Sequence, residues 1–156
     1  RIPHRRPGRC MEGTDMGYEN EMKIEFDSRS CNEGFIRVAV SAFMTQLNPT
    51  LEEVADVKTA VSEAVTNCIV HAYDGKVEKI TVSCHIEGNA LYLSVKDTGC
   101  GIPDIEKAME PLFTTRPEME RSGMGFAFME AFMDELSVES EPDKGTVVHM
   151  KKIIGR

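Results

Sequence analysis

The sequence predicts an α+β fold, a two-layer α/β sandwich in which helices cover one face of a mixed, mainly antiparallel sheet. Two segments on either side of Gly88-Asn89 alternate apolar and polar residues, as the strands of a β-hairpin do. Other segments repeat apolar residues at every third or fourth position, which is typical of amphipathic helices. Because the strands are linked by hairpins, the helices are expected to form one layer on one face of the sheet.

Length and composition indicate one globular domain. A chain of 156 residues can bury a two-layer core, and 41% of this chain is hydrophobic. The net charge of −8 disfavours direct binding to nucleic acid, and no apolar run reaches the ~18 residues that cross a membrane. The five cysteines follow no metal-ligand or disulfide spacing, so we expect reduced thiols in a cytoplasmic protein.

The first 18 residues differ from the rest of the chain. They begin with a basic, Pro- and Gly-rich stretch and show no periodicity. We interpret residues 1–18 as a disordered leader or a non-native remnant, with a basic arm for nucleic acid as the alternative. Residues 19–156 then form the predicted domain.

The domain is expected to open with a strand and a helix. Residues 22–26 alternate as a strand with one buried face does, and the turn after them offers Ser30 or Asn32 as a helix cap. Helix one is expected over residues 33–47, with Arg37 facing away from the core. Its inward seam is predicted to consist of Phe35, Ile36, Ala39, Val40, Phe43 and Leu47.

Helix two has a clear start in the sequence. Pro49 stops helix one, and Thr50 forms a capping box with Glu53. The helix is expected to end near residues 71–72. Its inward face is predicted to consist of Leu51, Val54, Val57, Val61, Val65, Cys68 and Ala72.

Helix two also carries a polar stripe away from that face. Glu63, Asn67 and His71 are four residues apart, a spacing that keeps side chains on one side of an α-helix. A solvated helix face is the simplest explanation of the stripe. Asn67 fits it less well, because Asn is a poor helix former. The alternative is a functional site that combines a carboxylate, an amide and an imidazole.

The predicted hairpin has strands over residues 79–87 and 90–96, and its second strand leads directly into Asp97-x-Gly99-x-Gly101. A carboxylate at a strand end can accept a hydrogen bond from an exocyclic amine such as that of adenine. The glycines let the backbone turn tightly and approach a flat ring. Taken alone, the motif equally fits a plain β-turn.

A long aperiodic segment, residues 104–122, separates this motif from a third helix expected over 123–133. Loops of that length are usually functional or disordered. The helix start at Gly123-x-Gly125 leaves backbone N–H groups at a positive helix end, which suits phosphate. Two last strands are expected over residues 136–140 and 146–153. Gly145 precedes the second of them and, taken alone, indicates only a turn.

These motifs occur in one order, each at a fitting structural boundary, and together form the pattern of one nucleotide site. In this respect the sequence resembles the GHKL superfamily of ATP-binding domains, shared by gyrase, MutL and sensor histidine kinases. The likeness extends to Glu63–Tyr73, Pro111–Thr115 and Arg121–Phe126, a combination similar to the anti-sigma factor serine kinases of sporulation. It spans about residues 21–152 and implies the Bergerat (GHKL) fold, with three helices on one face of the sheet.

The resemblance implies a role for each matching residue. Glu63 corresponds to the general base that receives the proton of the attacking serine hydroxyl, and Asn67 to the ligand of Mg²⁺. Asp97 corresponds to the aspartate that reads adenine, with Thr146 helping through water. The other nucleotide-binding positions are Gly99 and Gly101 at the adenine, Gly123, Met124, Gly125 and Phe126 near the phosphates, and Thr114, Thr115, Arg116, Arg121 and Ser122 in a lid.

Three assignments stay open at this stage. Either Arg116 or Arg121 neutralises charge on the phosphates. His71 lies near phosphate, bonds the lid or packs at the helix end. Arg37 is a solvated surface residue or, because the family presents this helix to protein partners, a partner-binding residue.

The implied function is that of an anti-sigma factor and serine-protein kinase. With ATP or ADP and Mg²⁺ as its cofactors, the protein would inhibit a sporulation sigma factor and phosphorylate a serine of an anti-anti-sigma factor. A homodimer is expected. The alternatives are a nucleotide-gated module that sequesters a sigma factor without significant kinase activity, and the catalytic domain of a histidine kinase. Retention of Glu63 disfavours the first, because nucleotide binding does not require a base.

Overall fold

The structure is a computed structural model that describes residues 18–102 and 125–155. These residues form a five-stranded sheet and a layer of helices. The strands are β1 Glu19–Asp27, β2 Lys79–Glu87, β3 Ala90–Asp97, β4 Glu135–Glu141 and β5 Gly145–Ile153. The helices are α1 Cys31–Met44, α2 Leu51–Asn67 and α3 Gly125–Phe132, with a 3₁₀ turn at Thr45–Leu47 and a π-helical turn at Cys68–Ala72. The predicted α+β class is confirmed.

The sheet has the strand order β1-β2-β3-β5-β4, and all four neighbouring pairs of these described strands are antiparallel. The sheet is therefore simpler than the mixed sheet that the sequence predicts. β3 and β4 run in the same direction, but β5 is inserted between them and opposes both. This insertion also places the start of β5 beside the end of β3.

The core lies between the sheet and the helices because each element turns its apolar face to the other layer. Alternate residues of β2 and β3 are buried, and α1, α2 and α3 contribute side chains at helical spacing. Burial of one such aliphatic side chain contributes about 1.5–3 kcal/mol. Fully buried examples are Ile36, Val40, Met44, Val57, Val61, Val65, Ile80, Ile86, Leu91, Leu93, Met129 and Met150.

Two predicted core residues are exposed instead. Phe35 is 56% exposed, because the inward seam of α1 is formed by Ile36, Val40 and Met44 and Phe35 lies about 100° away from it. Leu51 is 90% exposed, because it is the first residue of α2. The apolar repeat therefore identified the direction of each buried face correctly. It made the face of α1 too wide by including Phe35 and extended the face of α2 to an exposed first residue, Leu51.

The capping box of α2 is confirmed. Glu53 N donates to Thr50 Oγ1 at 3.1 Å, and Thr50 N donates to Glu53 Oε1 at 2.8 Å. The cap predicted for helix one is wrong, because Ser30 occupies the N-cap position without a side-chain hydrogen bond to the helix. Asn32 instead donates its Nδ2 to Asp27 O at 2.9 Å and fastens the turn after β1.

A little-exposed ion pair connects α2 to β5. Lys152 Nζ lies 3.1 Å from Asp56 Oδ2 and also donates to Phe132 O at 2.7 Å, so one ammonium group joins β5, α2 and the end of α3. None of the helices within 18–102 and 125–155 is both long and apolar enough to cross a membrane.

The predicted leader and lid fall almost wholly outside the described residues. Tyr18 is the exception, since its hydroxyl donates to Gln46 Oε1 at 2.7 Å and its carbonyl accepts from Gly88 N at 2.9 Å. Tyr18 therefore contacts the folded domain, one residue before the predicted domain boundary.

Replacement of Thr50 by Ala tests the contribution of the capping box. We expect Thr50→Ala to lower the free energy of unfolding by about 1 kcal/mol, because the Glu53 N–H loses its acceptor. Thr59→Ala, inside the same helix, is the control and should change stability by no more than about 0.5 kcal/mol. Urea denaturation measures both values, and equal losses would contradict the capping assignment.

Candidate functional site

The polar centre of the molecule lies where β3 ends beside the start of β5. Asp97, the last residue of β3, is paired with Thr146 in the sheet register. Both side chains are on the helix side of the sheet and are almost fully buried, with 5% and 6% of their surfaces exposed. A carboxylate in such a position needs hydrogen-bond donors to remain ionised.

The chain supplies donors to both oxygens of the Asp97 carboxylate. Gly99 N donates to Oδ1 at 3.0 Å, and the thiol of Cys68 donates to Oδ2 at 3.4 Å. Burial nevertheless raises the pKa of Asp97, while the hydrogen bonds from Gly99, Cys68 and the Thr146 backbone oppose that effect. The group is a constrained acceptor in a poorly solvated position.

The glycines of the Asp97 motif are required by contacts within the chain. A Cβ on Gly99 would lie 2.2 Å from Ala72 O, and one on Gly101, which has a φ of +78°, would lie 2.3 Å from Glu141 O. The loop is further tied to the helix end by a hydrogen bond of 3.1 Å from Cys100 N to Ala72 O.

Gly145 at the start of β5 is under the same constraint. Its φ is +115°, and a Cβ there would lie 2.2 Å from Asp97 O. Gly145, which in the sequence indicates only a turn, therefore lies where two strands approach each other closely beside Asp97.

The polar stripe of α2 is present but is not continuous. Glu63, Asn67 and His71 are all half-buried, yet the regular α-helix ends at Asn67. A π-helical turn follows, closed by a hydrogen bond of 3.3 Å from Tyr73 N to Cys68 O. His71 is thus not placed by the α-helical step that the prediction assumed, whereas Glu63 and Asn67 are. π-Helical turns inside helices often mark functional sites.

Two residues that order the site were missed in the sequence. The buried Tyr73 accepts a hydrogen bond from Thr98 N at 2.8 Å and donates to Lys79 O, so it holds the loop after β3. Ser140 accepts from Ile102 N at 2.7 Å and contacts Thr146 Oγ1 at 2.9 Å. A polar residue at an inward position of a strand was the available signal for Ser140.

The back of α2 is connected to α1 by a charged side chain. Ser62, which precedes Glu63, donates its hydroxyl to Glu33 Oε1, and the same oxygen lies 3.7 Å from Arg37 Nη1. Arg37, whose side chain is 42% exposed, therefore belongs to a chain of contacts that ends next to Glu63.

An open cavity of about 610 Å³ lies beside the loop after β3 and the end of α2. Its lining includes His71, Asp74, Thr98, Gly99 and Cys100. A second cavity of about 430 Å³ is on the uncovered face of the sheet, lined by residues such as His85 and Tyr92, and does not contact the predicted site residues. The cavity next to Gly99 therefore adjoins the predicted site.

The phosphate side of the predicted site is described only in part. Gly125 is buried at the start of α3, and Phe126 packs against the core. The positions Thr114, Thr115, Arg116, Arg121, Ser122, Gly123 and Met124 lie outside the described residues. Across 18–102 and 125–155 no three His, Cys, Asp or Glu side chains gather as a metal-binding cluster.

Comparison with known proteins identifies the family. Residues 28–152 match the model of the histidine kinase-like ATPase domain. The chain is 60% identical to the anti-sigma F factor of Thermoanaerobacter sp. (strain X514), over 90% of this chain and 98% of that protein. It is 56% identical to the anti-sigma F factor of Geobacillus kaustophilus, over 88% and 94%, and 50% identical to that of Bacillus licheniformis, over 88% and 95%. The predicted GHKL-type fold is thereby confirmed.

A pair of glycine substitutions tests the contact between the loop and α2. Gly99→Ala should lower the free energy of unfolding by roughly 1–3 kcal/mol, because the new Cβ meets the carbonyl of Ala72. Gly34→Ala in α1 meets nothing closer than 4.0 Å and should raise it by roughly 0.5–1 kcal/mol. Denaturant unfolding measures both, and the same sign for the two variants would contradict the assignment.

The burial of Asp97 predicts a pH-dependent cost to stability. Its folded-state pKa is raised, so the folded protein binds this proton more tightly and loses stability as the pH rises from the ordinary value of 3.8 through the folded value. The wild type should therefore lose stability relative to Asp97→Asn when the pH is raised from about 4 to about 7, because the variant has no carboxyl group to ionise at this position. Urea titrations at both pH values measure it, and a pH-independent difference would disprove the expectation.

Proposed function

The chain belongs to the anti-sigma F factor family of histidine kinase-like ATPase domains, and on this basis we propose that it is an anti-sigma factor with serine-protein kinase activity. In this proposal it binds and inhibits a sporulation sigma factor, and it phosphorylates a serine of an anti-anti-sigma factor with MgATP. One observation carries the proposal: the hydrogen bond between Cys68 and Asp97 brings the helix of Glu63 and Asn67 beside the carboxylate at the end of β3.

Adenine recognition is assigned to Asp97. Its carboxylate accepts a hydrogen bond from the exocyclic amine, and Thr146 assists through water. Two observations support this assignment: Asp97 and Thr146 are paired in the sheet register, and the Asp97 carboxylate accepts hydrogen bonds from Gly99 N and from the Cys68 thiol. Gly99 and Gly101 are assigned to the base, and positions 123–126 to the phosphates, because the N–H groups at a helix start favour anions and the third helix begins at Gly125.

Asn67 is assigned to Mg²⁺. Asn67 is half-buried in the last turn of α2, and its amide provides an oxygen ligand of the kind that this ion takes. A single protein oxygen fits an ion that arrives with its nucleotide and keeps phosphate oxygens and water as further ligands. The ion bound there would offset phosphate charge.

Phosphate transfer is assigned to Glu63, one helical turn before Asn67. Its carboxylate orients the substrate serine in line with the γ-phosphate and accepts the hydroxyl proton. The serine oxygen forms the new bond to phosphorus as the bond to the β-phosphate oxygen breaks, which releases ADP. Arg116 or Arg121 of the lid stabilises the charge on the transferred group.

The outward face of α1 is assigned to protein partners and to a homodimer. Phe35 and Val38 are 56% and 62% exposed, and Arg37 lies between them in the sequence. Through Glu33 and Ser62 this face contacts the helix that bears Glu63, which offers a physical route for coupling between nucleotide and partner. The phosphorylated anti-anti-sigma factor would bind weakly, because the negative charge of its phosphate is repelled by a protein of net charge −8.

The test is phosphate transfer from labelled MgATP to the purified anti-anti-sigma factor. Wild type should place acid-stable label on serine, and Glu63→Gln should slow transfer by at least about 100-fold while ATP binding is retained. Glu52→Gln, an exposed position on the same helix, is the control and should transfer at the wild-type rate.

Two results would contradict parts of the proposal. An unchanged rate of phosphate transfer in Glu63→Gln would show that Glu63 is not the general base. Absence of label from wild type, together with tight binding of ATP and sigma factor, would identify a nucleotide-gated sequestering module instead of a kinase.

A further inference from the structure

Cys68 has a contact that its place in the core does not explain. It follows Asn67 at the junction of α2 and the π-helical turn, and only 4% of its surface is exposed. A buried cysteine usually acts as a small apolar residue. Here the thiol donates to Asp97 Oδ2 at 3.4 Å, on the carboxylate oxygen opposite the one that accepts from Gly99 N.

We propose that Cys68 is a positioning residue for base recognition, whose thiol holds the Asp97 carboxylate in the rotation that accepts the amine of adenine. The inference rests on the adenine role proposed for Asp97. It assigns the selectivity of the site to the side chain of Cys68 on one carboxylate oxygen, acting together with the backbone donors of Gly99 and Thr146.

The physical reason lies in the freedom of an aspartate side chain. Its terminal torsion is broad and roughly two-fold, so the backbone donors of Gly99 and Thr146 define the plane of the carboxylate less well without the thiol of Cys68 than with it. With donors on both oxygens, rotation breaks two hydrogen bonds at once. A carboxylate with a fixed direction favours a purine with an amine at position 6. It disfavours a purine with a carbonyl there, because two acceptors then face each other.

The thiol remains a donor under ordinary conditions. Burial, and then the charge of Asp97, raise the pKa of Cys68 well above its ordinary value. The proton therefore stays on sulfur at neutral pH, and the thiol can donate to Asp97 Oδ2.

A second buried thiol provides a matched control. Cys84 on β2 is 1% exposed, and burial raises its pKa to about 12. It is paired with Leu93, four residues before Asp97, and so lies away from the carboxylate. Cys84→Ala and Cys68→Ala remove the same atom from the same core, but only the second removes a donor from Asp97.

The experiment is the ratio of ATP to inosine triphosphate affinity, measured by calorimetry with the full chain and Mg²⁺. Wild type should prefer ATP, and Cys68→Ala should lower the ratio roughly five- to tenfold. Cys68→Ser, which retains a donor, and Cys84→Ala should keep the wild-type ratio. If Cys68→Ala does not fold, Cys68→Val fills the space without a donor and should show the same loss.

The outcomes separate this inference from the proposed function. A wild type that does not prefer ATP would overturn the adenine role of Asp97, and the role of Cys68 with it. A wild type that prefers ATP, with an unchanged ratio in both donor-less variants of Cys68, would overturn the role of Cys68 alone. A loss in Cys84→Ala as large as that in Cys68→Ala would show that core packing, not the hydrogen bond, sets the ratio.

Discussion

The site depends on a backbone contact between the two layers of the molecule. The loop after β3 packs on the last carbonyl of the π-helical turn, where Gly99 has no room for a side chain and Cys100 N donates to Ala72 O. This contact fixes the position of Asp97 relative to Asn67 and Glu63, which belong to the other layer. The packed core brings the layers together, but it is this contact that sets the alignment of their polar ends.

The polar groups at this junction are satisfied by residues distant in sequence. Tyr73 and Ser140 accept hydrogen bonds from Thr98 N and Ile102 N in the segment that follows Asp97. Within the described residues every deeply buried side-chain nitrogen or oxygen has a partner. Asp97 is nevertheless kept at a cost, because its burial disfavours the ionised form.

Much of the fold could be predicted because its signals are local. The period of two in β2 and β3, the hairpin turn and the capping box each lie within a few residues, and the structure has them where the sequence indicates. The exposure of Phe35 and Leu51 was missed, because periodicity gives the direction of a face but not what lies opposite it. The π-helical turn was missed because its carbonyls bind a loop almost thirty residues away.

For the candidate site, residue types were easier to predict than contacts. Asp97 and Asn67 are recognisable in the sequence as polar residues at the ends of predicted elements. For Cys68 the apolar repeat indicates only packing, and for Tyr73 and Ser140 the sequence indicates no role. Each of these three acts through a partner at least 25 residues away or through a neighbouring strand. Such contacts become visible only when the order of the strands is known.

The reason for the glycines has a consequence for how the motif is inherited. Gly99, Gly101 and Gly145 are demanded by chain-on-chain approach, so a descendant that abandoned nucleotides would still need them in order to fold. Its carboxylate at position 97 and its amide at position 67 would no longer be needed for the contacts proposed here with adenine and Mg²⁺. In related chains the three glycines therefore indicate the fold, whereas the polar residues beside them are the positions at which the proposed nucleotide site would be lost.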